Sequence, residues 1–256
     1  MTNAVRIAPS FREKVWGSTG LSPWFPDPEK KIGEVWFDGE DRLPLIKFLF
    51  TTDRLSVQVH PNDEYARKHE NSNGKTEMWH ILSAAPAAGV AIGFREHITA
   101  AQMRNAANTG TIEAWLNWIP VRPGDTFFVP AGTVHAIGAG IALCEIQQRS
   151  DITYRIYDYG RRRELHLDKA LEVSHMGSNP GRATLPIRSP HFHTEKAPLE
   201  GQLKIEAIAK PQALIVLSGE GLIGDEPFLP GEVWELPPGF SVMLKGQARL
   251  LRTFIP

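Results

Sequence analysis

Apolar residues along this chain gather in short runs, not in the long stripes of amphipathic helices. The runs KFLFT (47–51), LSVQVH (55–60), EMWHIL (77–82), DTFFVP (125–130), ALCEIQ (142–147), ALIVLS (213–218), EVWELP (232–237) and SVMLKG (241–246) are rich in Val, Ile, Phe and Trp, and several alternate apolar with polar residues. Alternation matches the two-residue period of a strand, so each run predicts a β-strand with one or both faces covered. Prolines (20) and glycines (22) punctuate the runs, and PG and GE turns at this spacing suit a β-sandwich or barrel. Helix signals are few. Thr99 and Gln102 form a capping box that opens a short helix, which Asn108 and Gly110 end. Two more short helices are expected around IEAWLNW (112–118) and DKALEVS (168–174). The helical stretch near 98–118 lies between strand-rich blocks and reads as an insertion in a β domain.

The chain also echoes itself. PGDTFFVPAGT begins at Pro123 and PGEVWELPPGF at Pro230, so that Gly124, Pro130 and Gly132 match Gly231, Pro237 and Gly239 at the same spacing. Each copy follows a Leu-Ser pair, Leu82–Ser83 and then Leu217–Ser218. A duplicated β unit accounts for this. Three residues past the second glycine the first copy carries His135 and the second Val242, so chemistry is expected in the first copy only.

Composition narrows the function class. With 256 residues, 42% hydrophobic and 22% charged, the chain has the make-up of a soluble globular protein of one large or two small domains. The formal net charge is -1, so a basic footprint for nucleic acid is missing and a small molecule is the expected partner. Cys144 is the single cysteine, which excludes an internal disulfide and thiolate zinc sites and suits a core residue in the run GIALCEI. The N-terminal stretch MTNAVRIAPSFREKVWG lacks the apolar segment of a signal peptide, and AAPAAGVAIGF is too short to span a bilayer. No membrane association and a cytoplasmic location are therefore expected.

The chemistry concentrates in a few positions. Gln58 and His60 are two apart in an apolar run, so they share one face of a strand. Glu77 opens EMWHIL, and His135 follows the PAGTVH turn. Two imidazoles, a carboxylate and an amide oxygen suit a borderline divalent cation such as zinc, although spacing alone leaves a structural role open for each histidine. His80 is on the opposite parity from Glu77 and is expected to face away. His191 and His193 form an HxH without a carboxylate motif after it and read as part of a connecting segment. Trp16 and Trp36 read as packing, and Arg161, Arg162 and Arg163 as a solvated run of which Arg161 comes nearest the site.

The stretch G-x5-P-x-G-x2-H from Gly124 to His135 resembles the second cupin motif, although Ala139 stands where that motif usually ends in Asn. In place of the usual first motif stand QVHPND (58–63) and GKTEMWHIL (74–82). With VPAGTVHAIGAGIALCEIQQRSDITYRIYDYGR and RELHLDKAL, they are similar to the type I mannose-6-phosphate isomerases, especially the short bacterial form, from about Trp16 to about Ala170. The resemblance implies a mainly β, double-cupin fold of jelly-roll barrels. A catalytic cupin would cover 1–185, and a degenerate cupin-like lobe without metal ligands 186–256. It implies one zinc ion per chain, or another divalent cation, on Gln58, His60, Glu77 and His135. The family's active-site lysine falls on Lys75 and its arginine on Arg155, with acidic residues at Glu145 and Asp151. Some members carry a histidine before the lysine that opens the sugar ring; here that position is Gly74.

The implied reaction interconverts mannose 6-phosphate and fructose 6-phosphate through a cis-enediol, in a monomer or homodimer. Glu145 or a water at the metal would move the proton, and Lys75 and Arg155, with Asp151 beside them, would bind phosphate or stabilise the enediolate. Two other readings stand beside this one. A non-catalytic sugar-binding or regulatory cupin is disfavoured by the intact ligands with Lys75, Glu145 and Arg155. A cupin oxidoreductase, whose iron would take two His and a carboxylate, is disfavoured by Gln58 as an added ligand.

Overall fold

The computed structural model of the chain describes residues 4–39, 41–179 and 181–256; Met1–Asn3 of the N-terminal stretch lie outside the described residues. The chain is mainly β, built from antiparallel sheets. It divides into two compact units, one of Val15–Gly17 and Leu49–Ala183, the other of Met1–Lys14, Ser18–Phe48 and Thr184–Pro256. N-terminal residues, expected with the first domain, thus group with the C-terminal ones. The physical reason is strand pairing: Val5 and Arg6 lie opposite Glu235 and Trp234.

In the first unit a five-stranded sheet runs in the order Tyr154–Tyr157, Val57–Val59, His135–Ile137, Gly89–Phe94, Leu116–Pro120. A second group pairs Arg182–Ala183, Thr126–Val129, Glu77–Ala84 and Ile141–Gln147 in that order. The five-stranded sheet buries both faces. Val57, Val59, Ala91, Ala136 and Ile156 pack with Met103, Ala106 and Ala170 of the helices Ala100–Asn108 and Leu167–Val173. On the other face Val90, Ile92 and Ile137 pack with Trp79, Ile81, Phe127, Val129 and Leu143 of the second group. Side chains alternate along each strand. Gln58, between Val57 and Val59, therefore points away from the helices, and so does His135 beside Ala136.

The capping box at Thr99 and Gln102 is present. Around IEAWLNW the expectation of a helix is corrected. Only Ile112–Ala114 form one 3-10 turn, after which Leu116–Pro120 pairs with Gly89–Phe94, Trp118 facing Ala91. Ladder hydrogen bonds and β-prone Trp and Ile outweigh weak helical propensity there. A helix at Asp63–Glu70 was not expected. Asn62 caps it by accepting from Tyr65 N at 2.9 Å, and acidic residues occupy its first turn and basic ones its last, which suits the helix dipole. Its sequence lacks an apolar stripe, Ala66 being its buried residue.

The internal echo is also a structural one. Gly124 N donates to Ile81 O and Ile81 N to Asp125 O, while Gly231 N donates to Val216 O and Val216 N to Glu232 O, all at 2.9 Å. Gly124 and Gly231 adopt φ of 90° and 86°. Register extends the match to side chains. Val129 faces Glu77 and Leu236 faces Gln212; Trp79 faces Glu145 and Leu214 faces Arg252. Where the first copy has Glu77, Glu145 and His135, the second has Gln212, Arg252 and Val242. There Arg252 Nε donates to Gln212 Oε1 at 2.6 Å, and Nη1 pairs with Glu195 at 2.9 Å.

The two glycines differ in surroundings. A Cβ on Gly124 would meet nothing within 4 Å, whereas one on Gly231 would come within 2.4 Å of Trp24 O. Gly124→Ala is expected to cost about 1 kcal/mol for its positive φ. Gly231→Ala should cost about 2 kcal/mol more, because the backbone must also move. Urea denaturation of both variants reads the difference, and equal losses would contradict it.

Candidate active site and metal centre

Backbone hydrogen bonds between three loops gather the site. Gly132 N donates to His60 O at 2.8 Å, Lys75 N to Pro61 O at 3.0 Å, and Ala131 N to Thr76 Oγ1 at 3.2 Å. Across the five-stranded sheet, Arg155 lies opposite Gln58, and Gln58 opposite His135. These three side chains therefore form a row on one face. Glu77 starts its strand between Gln147 and Val129 in the neighbouring group.

The result is a buried cluster of His60, Glu77 and His135 whose ligand-type atoms all lie within 4.8 Å of one another. His60 Nδ1 is 2.7 Å from Ile152 O and His135 Nδ1 is 2.8 Å from Thr133 O. A carbonyl can only accept, so each Nδ1 carries the proton and each Nε2 keeps its lone pair. Both Nε2 atoms face Glu77, His60 at 3.2 Å from Oε1 and His135 at 3.8 Å from Oε2. Glu77 Oε1 is buried and makes no aligned hydrogen bond, although Lys75 Nζ is 2.5 Å away. The short distance makes this a tight ion pair. Gln58 turns its amide nitrogen to His135 Nε2 at 3.3 Å and its oxygen to Ser56 Oγ at 3.1 Å.

The electrostatics keep these groups in ligand-ready states. Burial, aided by the Lys75 ammonium, pushes the His60 pKa down to about 3, so its ring is neutral near pH 7. Burial likewise lowers that of His135. For Glu77 burial alone would favour the acid form, but Lys75 and His60 outweigh it and hold the carboxyl well below its usual range. Burial would also discharge Lys75; the Glu77 and Glu145 carboxylates, with Asp151, raise it instead. Neutral imidazoles beside a carboxylate make a donor set that fits zinc or a similar divalent cation.

Of the remaining expected residues, Glu145 joins the cluster through Trp79, whose Nε1 donates to Glu145 Oε2 at 3.0 Å and to Glu77 Oε2 at 3.2 Å. Sequence reasoning assigned the tryptophans to packing and missed this one. The available signal was parity, since Trp79 shares a strand face with Glu77. Asp151 is exposed and reaches the cluster through its field on Lys75. Arg155 donates from Nη1 to Glu164 O at 2.7 Å, and its buried Nε has no hydrogen-bond partner among the described residues. His80 faces Thr126 Oγ1 at 2.9 Å. His193 stacks on Phe254 in the other unit, and Cys144 is buried in the strand Ile141–Gln147. Gly74 also has a steric explanation. A Cβ there would lie 2.5 Å from Asn62 C and Asp63 N, so this backbone path admits no ring-opening histidine at that position.

No family model matches the chain. Mannose-6-phosphate isomerase ManA of Bacillus subtilis (strain 168) is 35% identical to it, the match covering 98% of both chains. The mannose-6-phosphate isomerase of Streptococcus mutans serotype c (strain ATCC 700610 / UA159) is 39% identical over 78% of this chain and 72% of that one. The crystal structure of the Bacillus subtilis mannose 6-phosphate isomerase aligns with a TM-score of 0.86 at 27% identity, over 98% of this chain and 99% of that one.

Trp79 is the donor shared by two buried carboxylates. Trp79→Phe removes the N–H and trims the buried indole to a smaller ring, and is expected to cost about 2–4 kcal/mol. Chemical denaturation measures this, and an unchanged midpoint would show that the shared hydrogen bond carries no weight.

Proposed function

The chain belongs to the mannose-6-phosphate isomerases, and from that premise we propose that its buried cluster interconverts mannose 6-phosphate and fructose 6-phosphate with a divalent cation, zinc in the first instance. The observation that carries the reading is the pair of imidazole Nε2 atoms and the carboxylate of Glu77, converging in the buried interior with both Nδ1 atoms tied to carbonyls. His60, Glu77 and His135 would hold the cation. Gln58 would join them through its amide oxygen, with the amide turned over from the orientation in which its nitrogen faces His135. The bound cation supplies Lewis acidity to the oxygen beside the reacting carbon. The cupin description of the barrel belongs to this reading as well.

The chain's own groups divide the remaining work. Aldose–ketose interconversion moves a proton between adjacent carbons, by way of a cis-enediol that carries negative charge on oxygen in the transition state. Lys75 keeps its proton, held by Glu77, Glu145 and Asp151, so it contributes positive charge rather than basicity. The base role then falls to Glu145, a buried carboxylate oriented by Trp79 Nε1. Arg155, in the row with Gln58 and His135, offers its unpartnered Nε to the phosphate, for which a guanidinium has the matching geometry. Asp151, exposed and acting on Lys75 through its charge, would assist these groups.

A coupled assay of mannose 6-phosphate turnover, before and after chelation and after zinc addition, tests this reading. Activity should disappear on chelation and return with zinc, at about one zinc per chain. Glu145→Gln should lower kcat by about 10²–10⁴ with metal retained. His135→Ala should lose metal and activity together. Absence of turnover in fully zinc-loaded protein would sink the proposal.

A further inference from the structure

The loop after Tyr154–Tyr157 holds an unusually constrained carboxylate. Asp158 is 2% exposed and accepts from two guanidiniums. Arg163 grips it with two prongs, Nε to Oδ2 at 2.7 Å and Nη2 to Oδ1 at 2.6 Å. Arg161 adds Nη2 at 2.8 Å and Nε at 3.1 Å, both to Oδ1. Arg161 is fixed further by Nη2 donating to Arg54 O at 2.8 Å and by lying over the Tyr159 ring at 5.2 Å. After these contacts its buried Nη1 has no hydrogen-bond partner among the described residues; Asp53 Oδ2 is 3.6 Å away, beyond hydrogen-bond reach. Arg155 Nε is in the same condition. Beyond burial, Arg163 and Arg161 lower the Arg155 pKa while Asp158 raises it. Arg155 thus stands within the field of both guanidiniums.

Guanidinium N–H groups left buried without an acceptor are costly, and two of them on one strand and the loop after it suit an oxyanion. We infer that Asp158 is a positioning residue for the substrate phosphate, holding Arg161 and Arg163 in place so that Arg161 Nη1 stands ready for an oxyanion. The inference rests on the sugar-phosphate reading above. Asp158 does not touch the phosphate. It acts through the arginines, by removing rotamer freedom from two long side chains and by offsetting their repulsion.

The zinc-loaded Asp158→Asn enzyme tests this, with inorganic phosphate as the probe. KM for mannose 6-phosphate and the calorimetric Kd of phosphate should rise together by about tenfold or more, with kcat within about threefold of wild type and zinc content unchanged. Asp158→Glu keeps the charge and should recover part of both constants. It also serves if the amide variant does not fold, and should then still bind phosphate more weakly than wild type. A change in melting temperature alone, with KM and Kd unmoved in the variants, overturns the inference, as does a fall in kcat at constant KM. If the wild-type enzyme turns over no sugar phosphate but binds inorganic phosphate in an Asp158-dependent way, the isomerase reading fails and the anion site stands.

Discussion

Glu77 has no exposed surface, and a carboxylate in that position must be neutralised from within. Solvation lost on burial is worth several kcal/mol for an ion, and a single partner seldom restores it. Here Lys75 at 2.5 Å and the Trp79 N–H at 3.2 Å supply the compensation, while the neutral His60 ring lies with its Nε2 3.2 Å away. Each of these has its own support. His60 is held by Ile152 O, and Trp79 is shared with Glu145. Lys75 is fixed where its backbone N–H meets Pro61 O. Removing any one leaves a buried charge to the rest, so the site behaves as one network rather than as separable contacts.

That network explains why part of the site was legible in the sequence. Gln58 and His60 lie two apart between apolar residues, and strand parity alone places them on one face. His135 follows a Gly-x5-Pro-x-Gly pattern whose glycines, Gly124 and Gly132, take positive φ values of 90° and 84° on either side of the strand Thr126–Val129, a local signal that survives in one dimension. Glu77 and Lys75 needed the family likeness. What draws them to the histidines is three loop-to-loop hydrogen bonds between residues far apart in the chain, and no local pattern encodes those.

The same distinction separates the parts of the fold. Strands with alternating or solid apolar runs were evident, because burial imposes the pattern directly. The helix Asp63–Glu70 was hidden since it buries almost no apolar stripe and depends on its Asn62 cap, its charges and the ion pairs of its surface. The stretch IEAWLNW misled for the opposite reason: its apolar spacing fits a helix, but the open edge of Gly89–Phe94 offers it a ladder. Pairing of Val5–Arg6 with Val233–Leu236 joins segments more than two hundred residues apart. It is set by the whole sheet, not by the two residues.

The duplicated β unit shows what happens when the buried carboxylate is given up. Register places Gln212 where the first copy has Glu77, and Arg252 where it has Glu145. A neutral amide in the first position needs no counter-charge, and the guanidinium in the second donates to Gln212 Oε1 and takes its counter-charge from Glu195. The residues at the two positions bond to each other in the second copy. The two changes therefore form a matched set. The second copy keeps the turn geometry and the strand pairing of the first, while its interior polar groups satisfy one another directly. In the first copy the ligand-type atoms of Glu77, His60 and His135 instead converge within 4.8 Å of one another, and it is this convergence, more than the β framework that both copies share, that distinguishes the first copy from the second.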